Sequence, residues 1–498
     1  MLWMGIDVGT GGTRALLVDA KGKLVASITA PHEDIRMEKP FWAEQRPEDW
    51  WGAAQKAIRG VIAEAGVDGA AVKGIGMSGQ MHGLVLLDKA NQVVRPSLIW
   101  CDQRSQPQVD RINRKVGQKR ILELIANPVL TGFTLPKLMW VREHEPANYE
   151  KARKLLLPKD YVRFMLTGDF AMDVADASGT ALFSVAHRAW SKELCEDLEI
   201  DTGLLPPSME CVELAGKISK AAAALTGLKE GTPVVAGAGD QAASAVGSGT
   251  VAPGTVSCTI GTSGVVFAHM EKLAYDPQGR VHTFCHAVPG KWHVMGVTQG
   301  AGLSLQWFRN QLAPGTDYDC LTAEAGLAAP GSQGLVWLPY LMGERTPHLD
   351  AGARGGWIGL TARHTRADLI RSVLEGVTFS LQDCLHLVEA LGVDVHTVTA
   401  SGGGAKSAFW RQMLADAFEK KINVLATQEG SAYGAALLSL VGTGEFESVE
   451  AVCREAIVVQ AAVVPRPHES HIYRGLFEVY RAIYPALRPI FRLQNNLS

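Results

Sequence analysis

Two short stretches, about half the chain apart, carry Gly and Thr residues in a pattern that suits anion binding. The first spans residues 4–19, with apolar segments on both sides of Gly9-Thr10-Gly11-Gly12-Thr13. The second spans residues 254–267, with Gly261-Thr262 at its centre. Apolar segments on both sides of such a turn predict a β-hairpin. Because successive backbone N–H groups at a turn converge on one point, each hairpin is a candidate phosphate site. A purely structural hairpin is the alternative.

Asp7 interrupts the otherwise apolar strand just before the first turn. A carboxylate beside a bound phosphate would repel it unless a cation lay between the two. Asp7 therefore predicts a metal–nucleotide site at the start of the chain. The alternative is a buried carboxylate that is hydrogen-bonded to the turn.

Other glycine-rich segments differ in the element that comes after them. Residues 401–407 and 430–436 each lie between a strand pattern and a helix pattern, which offers a helix N-terminus to a nucleotide. Residues 74–79 match G-x-G-x-x-G, but a strand-like run comes next instead of a helix, which argues against a dinucleotide site. Residues 237–242 match the variant ending in Ala but lack the acidic residue expected about 20 positions later. The chain contains no P-loop motif.

Composition excludes several classes of function. The 498 residues are 47% hydrophobic and 20% charged, with a net charge of −3 and no long basic run, so neither nucleic acid nor an anionic membrane is an expected partner. No apolar run approaches the ~20 residues of a membrane span, and no signal-peptide pattern is present. The eight scattered cysteines contain no Cys-x-x-Cys pair and indicate reduced thiols. We therefore expect a cytoplasmic protein.

The elements that must position these loops alternate between helix and strand. Helical spacing of apolar residues predicts helices over residues 47–65 and 363–392, the latter with Thr365 as N-cap. Strands are predicted at residues 396–400 and 422–426. The second hairpin repeats the first at about half the chain length, which predicts two similar domains with a boundary near residue 247.

This set of loops resembles the actin, hexokinase and heat-shock chaperone superfamily, in which two related domains bind ATP. Residues 132–144 and 355–375 resemble the two signatures of the FGGY carbohydrate kinase family. The resemblance covers residues 1 to about 485. It implies an α/β fold of two related actin/hexokinase-like (ribonuclease H-like) domains flanking an ATP and sugar cleft. Residues 1–247 would carry the sugar site and the first phosphate hairpin, and residues 248–485 the second hairpin and the adenosine loop.

The resemblance also implies roles for individual residues. Asp240 would be the base that accepts the proton of the sugar hydroxyl, and Asp7 would hold Mg²⁺ through water, because Mg²⁺ gives up its hydration reluctantly. The implied ATP-binding residues are Thr10, Gly11, Arg14, Gly261, Thr262, Gly302, Gln306, Gly403, Gly404 and Ser407. Alternatives stay open for four residues or pairs. Asp240 could be a helix N-cap, Arg14 could form an ion pair, Gly403-Gly404 could be only a tight turn, and Trp100 could be core.

Three loops indicate which substrate within the family is expected. Residues 78–83, 100–104 and 343–347 resemble the branch of the family that phosphorylates D-xylulose at O5, in xylose catabolism. Glycerol kinases usually carry Arg-Glu where this chain has Met81-His82, whereas gluconate kinases can share Met-His. The implied substrate contacts are Met81, His82, Trp100, Asp102, Asp240 and Gln241. Ribulose, gluconate and glycerol remain alternative substrates, and a non-sugar ATPase clamp is the alternative outside the class. The family also implies a homodimer and closure of the two domains on the sugar.

Overall fold

The chain folds around two seven-stranded sheets of mixed direction, seen in a computed structural model that describes residues 1–427 and 429–496. In spatial order, the first sheet contains Leu214–Lys217, Pro233–Val235, Val72–Gly79, Leu2–Val8, Gly12–Val18 and Leu24–Pro31, with Ala238–Gly239 paired to the end of Val72–Gly79. The second sheet contains, again in spatial order, His282–Cys285, Trp292–Thr298, Gly264–Met270, Thr255–Ile260, Thr397–Ser401, Lys421–Leu425 and Val459–Val463.

The two sheets repeat one topology. Leu2–Val8 runs antiparallel to Gly12–Val18 and parallel to Val72–Gly79. Thr255–Ile260 likewise runs antiparallel to Gly264–Met270 and parallel to Thr397–Ser401. Both predicted hairpins are therefore confirmed, and the two occupy the same place in their sheets. This internal duplication confirms the predicted fold class.

Helices cover the faces of both sheets. Their bounds are Pro47–Glu64, Gln106–Val116, Gln118–Ile125, Thr134–His144, Pro146–Lys151, Pro158–Thr167, Val174–Ser178, Lys192–Asp197, Lys220–Thr226, Asp240–Gly247, Ala301–Leu312, Tyr318–Ala325, Arg366–Ala390, Ala408–Phe418, Gly430–Gly442, Val449–Ala456 and Pro467–Asn495. Short two-stranded pairs join Glu44–Gln45 to Ser97–Leu98, Val85–Leu87 to Lys154–Leu156, Met172–Asp173 to Ser208–Met209, Phe183–Ser184 to Ala189–Trp190, and Val336–Leu338 to Gly356–Ile358. Thr365 caps its helix in a full capping box with Asp368, as the sequence predicts. Among the described residues, no helix combines the length and apolarity needed to cross a bilayer.

The helix Gly430–Gly442 packs against the first sheet, although it lies late in the chain. It contacts Leu2–Val8, Val72–Gly79 and the helix Asp240–Gly247. Its small residues allow this approach, because a Cβ added at Gly76 would lie 1.8 Å from the Ala435 carbonyl oxygen. The sequence-based boundary near residue 247 coincides with the end of Asp240–Gly247. The assignment of all of 248–485 to a second unit stays a prediction, since this helix joins the first sheet.

We expect Gly434→Ala to destabilise the protein by about 1–3 kcal/mol, because overpacking forces a backbone shift. The new Cβ would lie 1.8 Å from the Ala243 carbonyl oxygen. Gly475→Ala is the matched control, since a Cβ at that exposed helical position has no neighbour within 4 Å. Alanine should stabilise that helix slightly. Thermal unfolding measures both, and equal midpoints would contradict this account of the packing.

Candidate active site

Asp240 lies where three adjacent strands of the first sheet end. It is the first residue of the helix Asp240–Gly247 and directly follows the short strand Ala238–Gly239. That strand pairs with Ser78 and Gly79, and Ser78 in turn lies opposite Asp7. In open α/β sheets, ligands bind beyond the carboxyl ends of parallel strands. The N-cap is Gly239 and no side chain caps this helix, so the N-cap alternative for Asp240 is wrong.

The surroundings of Asp240 suit a base that works near neutral pH. Burial and, to a smaller extent, the charge of Asp7 together raise the pKa of Asp240 to about 7, while hydrogen bonds from Gln241 act in the opposite direction. The Gln241 amide donates to Asp240 Oδ1 at 3.3 Å. A carboxylate with a pKa close to the working pH combines a useful population of the base with a strong tendency to take a proton.

Asp7 keeps one carboxylate oxygen free for a ligand. Burial raises the pKa of Asp7, while Ser431, Ser78 and Arg14 oppose that rise. Its Oδ1 is buried and has no hydrogen-bond partner among the described residues. No group of three or more His, Cys, Asp or Glu side chains that could hold a metal occurs within the described ranges. A cation at Asp7 would therefore take most of its ligands from phosphate and water, which suits Mg²⁺.

A cavity of about 250 Å³ opens beside Asp240 between the two sheets. Its lining combines several polar side chains with an apolar wall: Met81, His82, Trp100, Leu130, Gly132, Phe133, Asp240, Gln241, Ser263, Val265, Met295, Val297 and Arg345. Five of the six predicted substrate contacts are in this set. A concave, mostly apolar pocket with a few convergent polar groups is typical of small-molecule sites.

His82 presents a hydrogen-bond acceptor to this cavity. Its backbone has a φ of 69°, a left-handed conformation that non-glycine residues adopt rarely and often at functional sites. Burial and, to a smaller extent, the charge of Lys137 together lower the pKa of His82 to about 3, so the ring is neutral at pH 7. Nδ1 lies 2.6 Å from the Gly179 carbonyl oxygen, which can only accept. The proton is therefore on Nδ1, and Nε2 carries a free lone pair.

The first signature segment holds His82 in place. Lys137 Nζ donates to the carbonyl oxygens of His82 at 3.0 Å and Gly132 at 2.6 Å. Thr134 Oγ1 donates to the same His82 oxygen at 3.1 Å. The Phe133 ring stacks on the His82 ring with centroids 4.6 Å apart. This stretch therefore fixes both the backbone and the ring of a residue that lines the cavity.

We expect Gly179→Ala to raise the KM for the sugar several-fold, because it would displace the His82 ring. The new Cβ would lie 2.6 Å from His82 Cε1 and 2.7 Å from Nδ1. The φ of −79° at Gly179 accepts alanine, so the backbone itself should be unstrained. Steady-state kinetics against sugar concentration measure the effect, with Gly52→Ala as a control whose Cβ meets no atom within 4 Å. An unchanged KM would contradict the role given to His82.

Trp100 lines the cavity as predicted, whereas Asp102 does not. Trp100 is 47% exposed, so it is not core, and its Nε1 donates to Thr10 Oγ1 at 3.0 Å. Asp102 is fully buried and is not in the cavity lining. Its carboxylate accepts from the Ala43 N–H at 2.7 Å and from the Arg104 guanidinium. The sequence-based assignment of Asp102 to the sugar is therefore corrected: its carboxylate positions the surrounding loop.

A second cavity, of about 270 Å³, gathers seven of the ten predicted ATP-binding residues. These are Gly261, Thr262, Gly302, Gln306, Gly403, Gly404 and Ser407. The N-terminus of the helix Ala301–Leu312 contacts the hairpin turn, since Gly302 N–H donates to the Gly261 carbonyl oxygen at 2.8 Å. Gly402–Gly404 follow the strand Thr397–Ser401, and Ser407 caps the helix Ala408–Phe418. The glycine pair is thus a turn that also borders a cavity.

The three predicted ATP-binding residues of the first hairpin, Thr10, Gly11 and Arg14, are not in the lining of this second cavity. Thr10 and Gly11 lie at the hairpin turn, and Gly11 is exposed, with no atom within 4 Å of the position that a Cβ would take. Arg14 pairs with Glu429, and its Nε donates to Ser27 Oγ at 2.8 Å. The structure therefore shows the ion pair that the sequence left open for Arg14.

The turn of the second hairpin separates the two cavities. Ser263 lines the cavity that holds Asp240, while the preceding Gly261 and Thr262 line the other. Sequence reasoning missed Ser263, Phe133 and Arg345. Phe133 lies inside the first signature and Arg345 inside the loop 343–347 that resembles the family branch, so both segments could have indicated them.

Comparison with known proteins identifies the family. Residues 2–247 match the FGGY family of carbohydrate kinases, N-terminal domain, and residues 256–443 match its C-terminal domain. The chain belongs to the FGGY family of carbohydrate kinases. The family resemblance read from the two signatures is thereby confirmed.

Individual relatives span nearly the whole chain. A xylulose kinase of Bacillus subtilis (strain 168) is 40% identical over 481 residues, which are 97% of this chain and 96% of the relative. A crystal structure of a xyloylose kinase from Brucella ovis is 36% identical, with a TM-score of 0.92 over 98% of this chain and 100% of that one. A gluconate kinase structure from Lactobacillus acidophilus is 27% identical, with a TM-score of 0.93 over 98% of both chains. The fold is therefore common to FGGY kinases that carry different substrate names.

Proposed function

We propose that this protein transfers the terminal phosphoryl group of ATP to the O5 hydroxyl of D-xylulose in its linear keto form, giving D-xylulose 5-phosphate and ADP, a step of xylose catabolism. One observation carries the proposal. A single Gly-rich turn borders both the cavity with Asp240 and the cavity with the glycine loop, so a nucleotide phosphate at that turn would face a sugar hydroxyl at Asp240. The xylulose kinases among the relatives support the choice of sugar.

In this proposal Asp240 accepts the proton of O5 as the oxygen attacks the phosphorus in line. ADP leaves on the opposite side, and Asp240 later releases its proton to solvent. Phosphoryl transfer needs little covalent help from the protein, so positioning and neutralisation of charge supply most of the rate. His82 Nε2 accepts a hydrogen bond from another sugar hydroxyl. A site built around such a bond rejects analogues that lack the hydroxyl.

Mg²⁺ is the cation that we propose at Asp7. The unpartnered, buried Oδ1 of Asp7 and the preference of Mg²⁺ for water and phosphate oxygens support this choice. When bound, the ion would neutralise charge on the nucleotide phosphates. Thr10 and Gly11, at the turn beside Asp7, are proposed to face the same phosphates.

We further propose that sugar binding draws the two domains together. The cavity that holds Asp240 takes its wall from both, with His82 from the first and Val297 from the second. Closure would exclude water, which otherwise competes as phosphoryl acceptor.

We also propose that the protein is a cytoplasmic homodimer. The family resemblance supports the dimer, and eight free cysteines fit a reducing compartment. Light scattering tests it, and a monomeric mass would contradict the dimer.

The test of the proposed function is ADP release from Mg-ATP against a panel of acceptors. The panel contains D-xylulose, L-ribulose, glycerol, D-gluconate and no sugar. We expect turnover with D-xylulose to exceed that with each other acceptor, and only slow hydrolysis without sugar. Equal rates across the panel would overturn the kinase proposal. A preference for D-gluconate would overturn the choice of sugar and would match the gluconate kinase among the structural relatives.

A further inference from the structure

Arg345 is a cation in the wall of the sugar cavity that the proposed mechanism does not use. It is half-buried and lines the cavity together with Asp240 and His82. Within residues 1–427 and 429–496, its guanidinium makes no ion pair or hydrogen bond. A withdrawn guanidinium carries five N–H donors and no acceptor, so it loses hydration unless a ligand supplies acceptor oxygens.

The neighbouring carboxylate does not fill that role, because it is engaged with the backbone. Glu344 Oε1 accepts from the backbone N–H of Gln299 at 2.8 Å and of Arg345 at 2.7 Å. Glu344 Oε2 accepts from Ser380 Oγ at 3.2 Å. Glu344 thus anchors the loop that carries Arg345, and its charge opposes the lowering of the Arg345 pKa by burial.

The loop is also fixed to the strand that forms the apolar wall of the cavity. The fully buried Thr346 donates its N–H to the Val297 carbonyl oxygen at 3.0 Å. Its Oγ1 accepts from the Val297 N–H at 3.1 Å. The backbone of Arg345 is therefore already fixed, so ligand binding costs little further conformational entropy there.

Arg345 lines the same cavity as His82, although the two residues come from different halves of the chain. Its charge adds to burial in lowering the pKa of both His82 and His282. His82 belongs to the first sheet's side of the cavity, whereas Arg345 belongs to the second. A ligand that contacts both would hold the two sides together.

We infer that Arg345 is a sugar-binding and specificity-determining residue, whose guanidinium donates to the C2 carbonyl oxygen and the O1 hydroxyl oxygen of the ketose. This inference rests on the proposed function, in which O5 lies at Asp240. A linear 2-ketose then presents its two adjacent acceptor oxygens at the other end of the molecule. The planar fork of arginine matches such a pair of oxygens, and the ammonium of lysine does not.

The test compares D-xylulose with 1-deoxy-D-xylulose, which lacks only O1, in the wild-type protein and in Arg345→Met. We expect the wild-type protein to use the deoxy sugar less efficiently. The substitution should lower kcat/KM for D-xylulose about 10- to 100-fold, mainly through KM, and the ratio between the two sugars should approach 1. Arg345→Lys should recover only part of the affinity, and it also serves if the methionine variant folds poorly.

Arg354→Met is the matched control. Arg354 lies nearby in the sequence, its guanidinium donates to the Ala351 and Ala353 carbonyl oxygens, and it lines neither cavity. We expect wild-type kinetics from it. Two results would overturn the inference: an unchanged KM in Arg345→Met, or an equal loss for both sugars with their ratio kept, which would indicate a merely structural role. Failure of the proposed function is distinguishable, because the wild-type protein would then show no preference for D-xylulose in the acceptor panel.

Discussion

Asp240→Asn is expected to lower kcat by roughly 10²–10⁴-fold, the contribution of a positioned general base. The amide keeps the shape of the side chain but cannot accept the proton of the sugar hydroxyl at neutral pH. The fold should persist, because Gly239 rather than Asp240 is the N-cap of the helix. Steady-state ADP release at saturating D-xylulose measures the loss, and a melting curve checks the fold.

Asp68→Asn is a suitable control for this variant. Asp68 precedes the start of the strand Val72–Gly79, at the end remote from Asp240, and its exposed carboxylate accepts from the Ala70 N–H at 2.7 Å. Its kcat should equal that of the wild-type protein. A fast Asp240→Asn variant would refute the base assignment while leaving the family assignment intact.

The same carboxylate sets the expected pH dependence. Burial and the charge of Asp7 raise the pKa of Asp240 to about 7, and only the deprotonated form can accept a proton. The value of kcat/KM should therefore fall as the pH decreases through about 7, tenfold per pH unit well below it. A profile measured with D-xylulose from pH 5 to 9 tests this. A rate that stays constant between pH 5 and 7 would contradict it.

Asp7→Asn is expected to lower kcat/KM for Mg-ATP by ~10²-fold or more, because the charge that faces the cation is lost. The same substitution should not lower the stability of the folded protein. Burial raises the pKa of Asp7, so its charged form is disfavoured in the fold, and a neutral amide should leave the melting temperature equal or higher at pH 7. The acid limb of the pH profile should also shift to lower pH, since the charge of Asp7 raises the pKa of Asp240.

Asp19→Asn is the control for Asp7. It lies at the other end of the first hairpin, where its carboxylate accepts from the backbone N–H groups of Lys21 and Lys23 at 2.9 Å. It should leave the Mg²⁺ dependence of the rate unchanged. Wild-type kinetics in Asp7→Asn, or a marked loss of stability without loss of activity, would refute the metal-facing role.

Local patterns predicted the elements that carry the site. The Gly-Thr turns of both hairpins and the N-cap at Thr365 depend on residues within a few positions of one another, so their sequence was sufficient. The early strand Val72–Gly79 was correctly separated from a dinucleotide motif, because the next element along the chain is the strand Val85–Leu87 and not a helix.

Long-range contacts were beyond such patterns. Asp102 was assigned to the substrate because residues 100–104 resemble a substrate loop of the family, but Arg104 and the Ala43 N–H occupy its oxygens. The loop 343–347 was singled out by its resemblance, but only the fold shows that Arg345 lines the same cavity as Asp240, more than a hundred residues earlier in the chain. The helix Gly430–Gly442 joins the first sheet through glycine contacts that only the folded protein reveals.

The most direct test of the central claim is the position of the phosphate on the product. D-Xylulose is incubated with Mg-ATP and the wild-type protein, and the product is analysed by ³¹P–¹H correlated NMR. The proposed mechanism predicts coupling of phosphorus to the C5 methylene protons, which are themselves coupled to the proton on C4. Phosphorus coupled to the isolated C1 methylene, or inorganic phosphate in place of a sugar phosphate, would contradict it.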